Sequence, residues 1–273
     1  MAVVLITGCS SGLGLSAALE FARRGDRVFA SMRNVAKAGA LRDATEADGL
    51  TVEVIELDVT DDASVQRAVD HVLDSAGRID VLVNNAGISH YGTIELMPWE
   101  WLRETMETNF YGPVRMIRAV LPAMRARRSG SIVNVSSVSG RIPGFPFAGL
   151  YSVSKHALGT LCEALAMEVE SFNIHVTLIE PGWFKTEIVD NGKVILDPNS
   201  PYAALEAAEY AGEQAAVAVA GDPRLVAAAI VKAATTHGPL HVPVGDDAET
   251  WIARTSTTTF EEWAVSMKAA LGL

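Results

Sequence analysis

Short β-branched runs alternate with longer helical patterns along almost the whole chain, and this rhythm restricts the fold more than any other feature. The runs at 3–7, 27–32, 52–56, 81–84, 131–135, 175–180 and 240–244 read as strands. Helical patterns cover 14–24, 36–47, 63–75, 99–127, 151–172 and 222–236 between them. Strands separated by helices pair in parallel through right-handed crossovers. The expected fold is therefore α/β: a single-domain, doubly wound, seven-stranded parallel sheet with helices on both faces. One core suffices for 273 residues of which 49% are hydrophobic. In such a sheet ligands gather beyond the carboxyl ends of the strands, so chemistry-bearing residues are sought on the loops there.

Two segments break the rhythm. An alanine-rich stretch at 203–220 follows the sixth strand, and the region 183–220 is expected to be either a substrate lid or a solvated helical excursion. Residues 246–273 read as a helical tail in which Trp251 and Trp263 pack.

Charge and cysteine usage exclude several functions. With 33 acidic against 22 basic residues the net charge is −11, which opposes a phosphate backbone or an anionic leaflet. Neither nucleic acid nor a membrane is an expected partner. Cys9 and Cys162 are the only cysteines and suggest no disulfide framework, while the six histidines show no convergent metal-ligand spacing. No metal is expected. Without a basic leader or an apolar run near the roughly 20 residues that span a bilayer, a cytoplasmic location is the expectation.

Thr7-Gly8-Cys9-Ser10-Ser11-Gly12-Leu13-Gly14 follows the first strand and opens a helix. Free N–H groups and the helix dipole favour a pyrophosphate there, and glycines let the backbone approach it. Further motifs recur at later strand ends: Asp58-Val59, Asn84-Asn85-Ala86-Gly87, Ser136-Ser137, Tyr151-x-x-x-Lys155 and Pro181-Gly182 with Thr186. Taken together, from residue 4 to about 187, they resemble the short-chain dehydrogenase/reductase family of the Gly-x-x-x-Gly-x-Gly, Tyr-x-x-x-Lys type. Cys9 to Gly12, Arg33-Asn34 and Val242-Pro243-Val244-Gly245 look most like its branch of 17β-hydroxysteroid and retinol dehydrogenases.

The resemblance implies a Rossmann fold and a dinucleotide held by Gly8, Ser10, Ser11, Gly12, Leu13, Gly14, Arg33, Asp58, Val59, Asn85, Ala86, Gly87, Tyr151, Lys155, Pro181, Gly182 and Thr186. It also implies a catalytic set of Asn109, Ser137, Tyr151 and Lys155, with Asn109 holding a water that links Lys155 to solvent. Ser137 lies one residue farther from the tyrosine than the family usually places its serine, so Ser136 and Ser139 compete for the role. Tyr151 and Lys155, four residues apart, share one helix face. A nearby cation lowers a phenol below its usual pH 10, which makes Tyr151 the expected acid/base and Lys155 its activator.

An NAD enzyme usually presents an acid to the ribose after the second strand; here stands Arg33, so NADP(H) is expected and NAD(H) less so. The loops that should border the substrate carry Tyr91, Phe145, Phe147, Trp183, Phe184 and Ile188 without clustered Arg or Lys. A mainly apolar ketone, aldehyde or alcohol fits such walls. An acyl-carrier 3-ketoacyl reductase is the enzyme alternative, though an acidic carrier suits a basic docking face poorly provided by net −11. A dinucleotide-sensing regulator is the non-catalytic one, and has little use for Tyr151, Lys155 and Ser137 together. The family resemblance also implies a homodimer or homotetramer; Ile117, Val120, Leu121, Leu158, Leu161, Leu165 and Val169 on the helices 99–127 and 151–172 are its expected interface.

Overall fold

Alternate residues of the central strands serve opposite apolar layers, which is why runs such as 3–6 and 81–83 are hydrophobic without a polar face. The computed structural model describes residues 1–188 and 191–272, and its strands are β1 (Val3–Ile6), β2 (Arg27–Met32), β3 (Glu53–Glu56), β4 (Val81–Asn84), β5 (Gly130–Val135), β6 (Ile174–Pro181) and β7 (His241–Val244). They form one seven-stranded sheet in the order β3-β2-β1-β4-β5-β6-β7. Every pairing is parallel. Leu5, Leu82, Ile132 and Leu178 point into one layer with helices α3 (Asp62–Ala76), α5 (Gly112–Arg127) and α6 (Gly149–Val169). Ile6, Val83, Val133 and Ile179 point into the other, with α1 (Gly12–Arg23), α2 (Gly39–Ala47) and α8 (Pro223–Thr235). The chain order reverses between β1 and β4, and the crevice at that reversal is where a doubly wound sheet binds nucleotides.

Three local features differ from the sequence reading. The helix expected over 99–127 is divided into α4 (Trp99–Met106), a π-helical turn at Glu107–Tyr111 and α5. Pro113 supplies a reason: it lacks the N–H that would bond the carbonyl of Asn109, so the regular ladder fails there. The helix expected from Ala36 begins instead as a short 3₁₀ turn, Val35–Lys37, capped by the Asn34 side chain. The third difference concerns the apolar residues expected at an interface. Ile117, Val120, Leu158, Leu165 and Val169 are buried in this chain's own core, against which Leu121 also packs, and Leu161 is half-buried. The two helices flank the broad centre of the sheet, which has enough apolar surface to cover them; what α6 leaves exposed is Val153 and Met167.

The segment after β6 contains α7 (Ala203–Ala218), and the tail folds as α9 (Asp246–Thr255) and α10 (Phe260–Leu271). Trp263 of the tail is buried with Val138, Ile142 and Ala248, so the tail clamps the loop that follows β5. No helix among the described residues is long and apolar enough to cross a membrane.

Candidate active site

The glycine loop is built by two left-handed residues and one close approach. Gly8 and Gly12 have φ of +73° and +59°, a region that side chains disfavour. A Cβ on Gly14 would lie 2.3 Å from the Gly8 carbonyl oxygen and 2.4 Å from Asn85 Nδ2. Ser11 stands at the start of α1 but its side chain makes no capping bond, which leaves the first N–H groups of the helix for a ligand.

Asn85 buttresses this loop from the neighbouring strand. Its Nδ2 donates to the carbonyls of Thr7 (2.9 Å) and Gly8 (3.0 Å), while the N–H groups of Asn85 and Ala86 both donate to Thr7 Oγ1. Asp58, after β3, accepts from the N–H and hydroxyl of Thr60 at 2.9 and 2.8 Å. These turns border a cavity of about 850 Å³ that runs along the carboxyl edge of the sheet. Gly8, Ser10, Ser11, Gly12, Leu13, Arg33, Asp58, Val59, Asn85, Ala86, Gly87, Pro181, Gly182 and Thr186 all line it; Gly14 sits behind, holding the loop shape. The left-handed glycines, the free helix N-terminus and this wall fit a dinucleotide.

The cavity gathers Ser137, Tyr151 and Lys155 on one side. Lys155, 3% exposed, donates from Nζ to the Val135 carbonyl at 2.9 Å and lies 5.6 Å from the centre of the Tyr151 ring. Burial pushes the lysine down to about 8. Burial also pushes the Tyr151 phenol up to about 12, opposed by a hydrogen bond with Ser137. Taking the hydroxyl out of water dominates this shift, and Lys155 is not among its causes. Ser137 Oγ also accepts from the Ser139 N–H at 3.1 Å. Ser136 and Ser139 border the same cavity, but only Ser137 couples to the phenol.

Asn109 stands behind this group instead of lining the cavity. From the π turn it accepts from the Ile88 N–H at 2.9 Å and donates to the Ile88 carbonyl at 2.8 Å and to Ser154 Oγ at 3.0 Å, tying the β4 loop to α6. The segment after β6 is fixed from the tail, where Asp247 accepts from the Trp183 N–H at 2.7 Å. It passes over the glycine loop, since a Cβ on Gly12 would lie 3.5 Å from Thr186 Cβ.

Several residues that line or support the cavity escaped the sequence reading. Lys37 borders the cavity beside Arg33, brought there by the 3₁₀ turn, and its signal was the spacing of four from Arg33 behind an Asn cap. Asp247 reads in sequence as one of three acids in the first turn of α9. Glu209 and Glu213 of α7 line the opposite end with Tyr91, Phe145, Phe147, Trp183, Phe184 and Ile188. Their spacing of four on an alanine-rich helix was visible; their burial was not.

Fold and site together define a dinucleotide-binding oxidoreductase. A family model for short chain dehydrogenases matches residues 2–193. The chain is 41% identical over 203 residues, 74% of its own length and 71% of the other, to a 3-ketodihydrosphingosine reductase of Bacteroides thetaiotaomicron. It is 43% identical over 196 residues to retinol dehydrogenase 8 of Bos taurus, covering 70% of this chain and 61% of that one. A solved short-chain dehydrogenase from Streptomyces avermitilis superposes with a TM-score of 0.83 at 36% identity, covering 99% of this chain and 97% of that one. The chain therefore belongs to the short-chain dehydrogenase family, on the side where retinol dehydrogenases stand, and is an enzyme of the alcohol–carbonyl couple.

Proposed function

We propose that the enzyme interconverts a mainly apolar ketone or aldehyde with its alcohol, using NADP(H) in preference to NAD(H), with Tyr151 as acid/base. The convergence of Tyr151, Ser137 and Lys155 on one wall of the cavity carries this reading. Arg33 and Lys37, both exposed and without a carboxylate partner among the described residues, support binding of a 2′-phosphate at the far end. NADPH, when bound by the glycine loop, Asp58, Asn85 and the Pro181–Thr186 segment, supplies the hydride.

The chain's own groups do the rest. Ser137 donates to the carbonyl oxygen and steadies the charge that grows there. Tyr151, kept neutral at pH 7 by burial, gives that oxygen its proton, so the site favours reduction at neutral pH. Lys155, lowered to about 8, still holds a proton at pH 7 and is a better acid than the phenol, which favours reprotonation of Tyr151 after each turnover. Asn109 positions the β4 loop and Ser154 on which this wall rests.

Tyr91, Phe145, Phe147, Trp183, Phe184 and Ile188 support an apolar substrate. Cys9 and Cys162 are free and buried, which suits a reducing cytoplasm, and the exposed Trp99, Tyr111, Val153 and Met167 on α4 to α6 suit a homodimer or homotetramer. The test is NADPH consumption with a panel of aryl, alicyclic and small charged ketones. Turnover of aryl or alicyclic ketones is expected; preference for small keto acids would refute the substrate class.

A further inference from the structure

The substrate end of the cavity has one wall that does not suit an apolar ligand. Glu209 and Glu213 lie one turn apart on α7 and both border it. Glu213 is 7% exposed, and neither of its carboxylate oxygens has a well-formed hydrogen bond among the described residues. One oxygen of Glu209 is likewise buried and unpaired. The Tyr91 phenol lies close enough to Glu213 to favour its ionised form. No cation does the same: of the lining residues, Arg33 and Lys37 follow β2 at the nucleotide end, and Lys155 is bonded to Val135.

A third glutamate on the same helix shows what a structural carboxylate looks like here. Glu206 is 1% exposed, yet its oxygens accept from the Asp197 N–H at 3.1 Å and from the Ser200 hydroxyl at 3.3 Å. Glu213 has only the Tyr91 phenol beside it, and one oxygen of Glu209 has no partner. Burying two neighbouring carboxylates without a counter-charge destabilises the ionised forms, and burial together with Glu213 pushes Glu209 up to about 7. A cationic donor from the substrate would reverse that penalty. Besides burial, Glu213 and Tyr151 both lie near enough to raise the Tyr91 phenol, so Glu213 and the reacting phenol flank a single aromatic ring.

We propose that the substrate carries a protonated amine on its apolar body, held by Glu213 and Glu209 while Tyr151 addresses its carbonyl. This rests on the ketone-reductase reading and narrows it to amine-bearing ketones.

The test compares 3- and 4-(aminomethyl)acetophenone, both protonated at about pH 7, with 3- and 4-ethylacetophenone, which match them in shape. Turnover of the ethyl compounds reports the reductase reading; the ratio of efficiencies reports the amine. We expect kcat/KM for at least one amine to exceed that of its ethyl partner by about tenfold or more, the worth of a charge-assisted hydrogen bond. Glu213→Gln, which keeps shape and removes charge, is expected to bring that ratio below about threefold, chiefly through KM. A wild-type ratio under about tenfold overturns the proposal, as does one that survives both Glu213→Gln and Glu209→Gln. Should no compound be turned over, the reductase reading is at fault, while the thermal shift still decides the amine: stabilisation of wild type by amine over ethyl compound, lost in Glu213→Gln, supports it, and equal shifts overturn it.

Discussion

Lys155 Nζ, buried and bonded at 2.9 Å to the Val135 carbonyl, sits 5.6 Å from the ring centre of Tyr151 without a carboxylate partner among the described residues. Its folded pKa of about 8 lies below the ordinary 10.5, so the folded state binds fewer protons between those values and stability rises with pH across that window. Below it the buried ammonium destabilises the fold. Lys155→Met is therefore expected to stabilise the protein at pH 7 by on the order of 2 kcal/mol in urea unfolding while abolishing activity, with the gain shrinking above pH 8.

The same value sets the pH response of catalysis. Ketone reduction is expected to fall as pH rises through about 8, where Lys155 loses its proton, and the phenol at about 12 is expected to remain neutral throughout. A reduction rate flat from pH 6 to 10 would remove Lys155 from the proton path.

Tyr151→Phe removes the proton and keeps the ring, so turnover is expected to be nearly lost while NADPH affinity stays within a few-fold of wild type. Ser137→Ala is expected to reduce kcat by about 10²–10³ if Ser137 is the donor to the growing oxyanion. Ser139→Ala is expected to cost much less, and the reverse ranking by steady-state kinetics would transfer the role to Ser139.

Arg33 and Lys37 are separable by charge. Arg33→Ala is expected to lower the ratio of NADPH to NADH efficiency by about tenfold, Lys37→Ala by less, and both effects to weaken as salt screens these exposed groups. An unchanged ratio in both variants would withdraw the 2′-phosphate assignment.

Two glycines that look alike in sequence are expected to behave oppositely. In Gly14→Ala the new Cβ would meet the Gly8 carbonyl at 2.3 Å, and a loss of about 3 kcal/mol or failure to bind NADPH is expected. At Gly212, inside α7, nothing lies within 4 Å, so Gly212→Ala is expected to stabilise by about 0.5–1 kcal/mol in thermal unfolding.

The strand order's raw material was plain in the sequence because the central strands are apolar on both faces, and the positions of the motifs at strand ends then placed them on one edge. What escaped depended on packing. The π turn at Asn109 arises where Pro113 meets the close contact of Gly112 with Val59, a Cβ there lying 2.8 Å from Val59 Cγ2. Lys37 reaches the cavity only because the chain turns at Asn34, and Ile117 or Leu158 could be assigned to core or interface only once the breadth of the sheet was known. The burial that raises the Tyr151 phenol leaves no trace in residue spacing.

Thr7 and Gly8 are bonded to Asn85 across 77 or 78 positions of chain. A peptide ending before β4 would contain the entire glycine motif and yet lack the support that shapes it. The nucleotide cradle is in this sense a joint between two halves of the polypeptide, formed only when β1 and β4 zip together, a contact of long sequence separation that is slow to find. Any ligand that grips the loop grips the joint, and by mass action shifts the chain toward its fully assembled form.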